Sequence, residues 1–101
     1  MSYIEQVLSR PDMGREDTER LKFIRMHSEC AYDGLLSGLG AIGNITFWAC
    51  DNENYSDEMA RADLYAISEM LMHIPGITAA LKFNADEADF LIREREQKKK
   101  R

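Results

Sequence analysis

From Leu21 to Ala49 the apolar and small residues return at every third or fourth position: Leu21, Ile24, Ser28, Ala31, Leu35, Gly38, Ile42, Ile45 and Ala49. Only a long helix places such a set on one side, because a strand would demand strict alternation. No segment of the chain sustains that alternation. Prolines stand only at Pro11 and Pro75, outside the seam. The seam therefore predicts one helix over about residues 15–50. Glu16, Asp17 and Glu19 in its first turns suit the positive end of a helix dipole. Asp51-Asn52-Glu53-Asn54 is a polar turn that ends it.

Ser56 is a good N-cap, followed by Asp57 and Glu58. It opens a second helix over about 56–74, with Ala60, Leu64, Ile67, Leu71 and Ile74 on one stripe. Pro75-Gly76 kinks or ends that helix. The residues from about Ile77 to 97 either continue it beyond a kink or form a separate helix. In the second case Asn84 is the cap, leading through Ala85, Ala88, Leu91 and Ile92. Residues 2–9 form a short helix with Ile4, Val7 and Leu8 on one side, and Pro11-Asp12-Met13-Gly14 is a turn. The basic tail, residues 98–101, is expected to fray. The expected fold is all-α: a single helical domain over 1–101, with an N-terminal segment 1–14, a long hairpin and a C-terminal helix. Helix one packs on helix two, and the hairpin assembles into a four-helix type of bundle.

Gly38, Gly40 and Gly43 spell G-x-G-x-x-G, the fingerprint of a dinucleotide-binding loop. That loop needs a strand before it and a βαβ unit around it. Here the preceding residues are helix-periodic, and no strands exist to complete the unit. Asp63 stands at the distance expected of a ribose-binding acid, but inside helix two. The glycines are read instead as small residues on a helix, where Gly34, Ser37, Gly38 and Ala41 let another backbone approach. Each interior glycine forfeits roughly 1 kcal/mol relative to alanine, so close packing must compensate. A kink at Gly38–Gly43 is the competing reading.

Helix one is apolar over more than one neighbour requires. Beside the seam runs a second stripe with Phe23, His27, Cys30, Gly34, Gly38, Ala41, Ile45 and Trp48, while Lys22, Arg25, Glu29 and Asp33 take the opposite side. This stripe is the expected homo-oligomer interface, since two-fold assemblies are the commonest. Alternatively the third segment covers it within one chain. Leu36 and Phe47 project toward the polar side as ordinary exposed residues or a contact site.

Other chemistry is thin. His27, Cys30, Cys50 and His73 match no zinc-site spacing. Glu69 and His73 lack the repeated Glu-x-x-His of a di-iron bundle. Met59, Met70 and Met72 read as filler. No nucleophile with a partnered base is visible. No catalytic residue, metal or cofactor is expected. The two cysteines suit a reduced cytoplasmic protein with buried thiols. Met1 is followed by no basic and apolar leader, and no apolar run is expected to reach the ~18 residues of a membrane span.

Charge is more telling. The formal net charge is −5, and residues 26–92 carry eleven acids against Arg61 and Lys82. A negative middle disfavours nucleic acid and suits a solubilising face or a basic protein partner.

The core GLLSGLGAIGNITFWACDNENYSDEMARADLYAISEML resembles small helical-hairpin proteins of bacteria and temperate phages, phage antirepressors among them. The resemblance covers about forty residues and lies in a Gly-rich first helix with Ile42-Gly43-Asn44, an aromatic at Trp48, an acidic turn and an alanine-containing second helix. It implies a non-enzymatic regulator that binds a DNA-binding repressor and prevents operator binding. Contact residues are expected at Tyr55, Asp57, Glu58, Arg61 and Tyr65, around the turn and outer helix two. The alternative is a structural or regulatory helical oligomer, such as a toxin-antitoxin component or a small DNA-associated factor.

Overall fold

The computed structural model describes residues 3–100. It is all-α: α1 (Ile4–Leu8), a 3-10 turn (Met13–Arg15), α2 (Thr18–Ala49), α3 (Asp57–Leu71) and α4 (Ile74–Lys99), with no strand among the described residues. The long seam forms one helix, and α2 runs through all four of its glycines without a break. Its start is Thr18 rather than residue 15, because the Asp17 side chain accepts a hydrogen bond from the Arg20 N–H at 2.7 Å. Ser56 caps α3 as expected, accepting from the Met59 N–H at 3.1 Å.

The pairing of the helices departs from the expected hairpin. The seam of α2 packs chiefly on α4, whereas α2 and α3 stand apart. Only Met72 and His73 separate α3 from α4. Pro75 falls in the first turn of α4, where its missing N–H costs nothing. The two helices therefore succeed each other along one arm, and the longer one takes the seam. The core lies where α2 and α4 meet: Leu21 and Ile24 against Ala88 and Ile92, with Met13 closing the end. Ala85 and Ala88 keep the α4 surface low, so α2 comes close.

Three polar ties fasten this closed half. Asn84 is a mid-helix residue, not a cap. It is 6% exposed. Its Oδ1 accepts from the Arg10 N–H at 2.8 Å, and its Nδ2 donates to the Leu8 carbonyl at 3.2 Å. Arg95 donates to the Glu16 carbonyl at 2.7 Å, the Gly14 carbonyl at 3.1 Å and the Thr18 hydroxyl at 3.0 Å. Arg25 pairs with Asp89 at 2.9 Å. α4 continues to Lys99, and Lys98 reaches Glu94 at 3.5 Å, while Arg101 of the expected frayed tail lies outside the described residues.

The other half is open. No residue of α2 beyond Ser28 is buried, and none of α3 is. The molecule measures 67 × 24 × 15 Å, with a radius of gyration of 18.9 Å. A compact chain of this length would have about 13 Å. A bundle of four helices is therefore not made within one chain.

Candidate protein-interaction surface

Between the C-terminal half of α2 and α3 lies a cleft of about 520 Å³, walled by Ile42, Ile45, Ala49, Leu64, Ile67 and Met70. Its apolar lining follows from the two stripes read in the sequence, since each helix turns its own stripe toward the gap. At the mouth, the Tyr55 hydroxyl donates to the Asp63 carboxylate. That bond, with some burial and the negative charge of Asp63, raises the Tyr55 pKa above its usual 10.0. The turn below is held by the Asn52 side chain, which accepts from the Asn54 N–H at 2.8 Å.

The expected contact residues divide between two flanks of α3. Asp57, Arg61 and Tyr65 follow one another at helical spacing beside Leu64 and Ser68. Glu58 borders them one position round. Tyr55 lies on the other flank, with Met59, Ala62 and Asp63. Tyr65 is 69% exposed.

The second stripe of α2, Phe23, His27, Cys30, Gly34, Gly38, Ala41, Ile45 and Trp48, is exposed throughout, and only Ile45 also walls the cleft. α4 does not cover it, because α4 sits on the seam. Both cysteines are exposed thiols, contrary to the expected burial. Cys30 projects from a side of α2 that no neighbour covers, and Cys50, the C-cap of α2, sits at the cleft. The Phe23 and His27 rings meet at 4.2 Å between centroids, tilted by 49°, and the Arg20 guanidinium lies 4.7 Å over Phe23. A Cβ added at Gly34, Gly38, Gly40 or Gly43 would meet nothing within 4 Å. Nothing inside the chain requires those glycines. Leu36 and Phe47 are exposed on the polar side, and Phe47 meets Trp48 edge-on at 5.5 Å.

Sequence reading missed Asn84 and Arg95 as ties. Asn84 could have been found as the one polar residue on the stripe of Ala80, Ala85, Ala88 and Ile92. No group of three His, Cys, Asp or Glu residues lies close enough to share a metal ion among the described residues. Taken together, α3 and α4 contain an 18-residue window of mean hydropathy 1.3, sufficient by length and composition to cross a membrane. Compared with protein-family models, with curated proteins and with solved structures, the chain gives no match.

Proposed function

We propose that this chain is a non-enzymatic regulator that binds a basic, DNA-binding repressor and keeps it from its operator. The contact surface is the outer face of α3, with Asp57, Glu58, Arg61 and Tyr65, and it extends to Tyr55 on the other flank. The observation that carries this reading is the segregation of charge. Residues 51–72 hold Asp51, Glu53, Asp57, Glu58, Asp63 and Glu69 against Arg61 alone, and this stretch forms the tip and one arm of the open half. An acidic rod steers toward the positive surface that a DNA-binding protein presents to phosphates. Tyr65 and Arg61 are residue types that anchor interfaces once desolvated. The resemblance to phage antirepressors supports the same partner class.

The test is affinity capture from the cells of origin, using the full chain and its Asp57→Lys/Glu58→Lys variant. The expected result is a DNA-binding protein held by the parent, lost by the variant, and released from its operator by added parent chain. Capture unaffected by the charge reversal would show the assigned face to be wrong. Absence of any DNA-binding protein would overturn the regulator reading.

A further inference from the structure

The accessible surface of the chain is 7901 Å². A compact monomer of 11.6 kDa would expose about 5,800 Å², so roughly 2,000 Å² is in excess. That is of the order a chain contributes to an obligate dimer, whose interfaces bury about 2,000–5,000 Å² in total. The excess sits in the open half, where α3 is a helix of 15 residues without one buried side chain. Helices of that length are marginal alone in water. A cover for the open half must be available wherever the chain accumulates, and a second copy meets that condition.

We propose that two copies pair through the bare stripe of α2, antiparallel, with the two-fold axis between Gly34 and Gly38. The stripe is self-complementary about that point. Reversed onto itself, it sets Phe23 against the partner copy's Trp48, His27 against its Ile45, Cys30 against its Ala41 and Gly34 against its Gly38. Bulk meets bulk at both ends, and the small residues meet at the centre. A two-fold contact demands this reciprocity. The glycines that the single chain does not need become the place of closest backbone approach.

Charge selects the same arrangement. The open end of α2 leads into Asp51 and Glu53, while at the closed end the Arg20 guanidinium lies over Phe23, and Arg10 beside it is paired with Glu16 at 3.1 Å. Antiparallel pairing lays each acidic end beside the other copy's basic end, whereas parallel pairing would set acid on acid. Each open half then lies along the other copy's closed half, and α3 gains cover.

The proposal is independent of the repressor reading. Its test uses the full chain carrying Cys50→Ser and Ala41→Cys. Light scattering of the reduced protein should give twice the mass of one chain. Mild oxidation should give a covalent dimer whose bridged peptides join Cys30 to the introduced cysteine at 41. The parent chain with Cys50→Ser alone should form no such bridge. A bridge joining Cys30 to Cys30, or 41 to 41, would mean parallel pairing and overturn the proposal. So would a monomer, including one that co-sediments with phosphatidylcholine vesicles, and so would any larger closed ring.

Discussion

At the level of single residues, the closed half rests on side chains that complete the backbone's hydrogen bonds. Asn84 satisfies one N–H and one carbonyl where α1 leaves its last turn. Its replacement by alanine strands both, and the cost of such a loss is about 1–2 kcal/mol. Denaturant unfolding of Asn84→Ala should show a lower midpoint of that size, with helical content nearly unchanged. Tyr55 makes a different prediction. Its pKa is raised, first by the bond to Asp63, so the bond's contribution is complete below the usual 10.0 and fades as pH climbs through the elevated value. In a phenolate absorbance titration of the four tyrosines, the last to ionise should vanish in Tyr55→Phe. It should fall back into line in Asp63→Asn. Neither role could be read from residue type, since Asn84 could equally cap a helix and Tyr55 could equally anchor a partner.

At the level of helices, the sequence told where α3 begins and which side of each helix is apolar, but not where α4 begins or which helix meets which. The seam of α2 is continuous from Leu21 to Ala49, yet only its first part finds a partner in the chain. Nearness in sequence favoured α3. The near-continuity of α3 with α4 favoured α4, and the alanines at 85 and 88 decide it by letting α2 approach. Glycines separate these influences experimentally. A Cβ on Gly76 would stand 2.6 Å from Ile4 Cγ2 and 3.3 Å from the Glu5 amide nitrogen. Gly76→Ala should therefore loosen α1 and lower the melting temperature. Gly43 faces away from both the seam and the bare stripe, so Gly43→Ala should stabilise by roughly 0.5–1 kcal/mol through helix propensity. Gly38→Ala gains the same propensity in a lone chain, but it crowds the axis of the proposed dimer. A melting temperature that rises for Gly43→Ala and falls for Gly38→Ala is the expected pair of results from thermal scans.

At the level of the whole molecule, stability is distributed unevenly along a rod 67 Å long. The closed half has a dry core and three polar ties, while the open half has exposed apolar faces and a cleft. Amide protection follows the free energy of local opening, so the two halves should exchange differently. Amides around Leu21–Ser28 and Ala80–Ile92 should be protected at every protein concentration, because their cover comes from the same chain. Amides of α3 and of α2 beyond Leu35 should exchange quickly in dilute protein and slow as concentration rises, since association stabilises by mass action. The charges that align the copies are exposed and screened by salt within about 10 Å at 0.1 M. Added salt should then move the concentration at which α3 becomes protected upward, and leave the closed half as it was. Hydrogen exchange read by mass spectrometry across a dilution series measures both effects. Protection of α3 that ignores concentration would place its cover inside the single chain, and would remove the reason for a second copy.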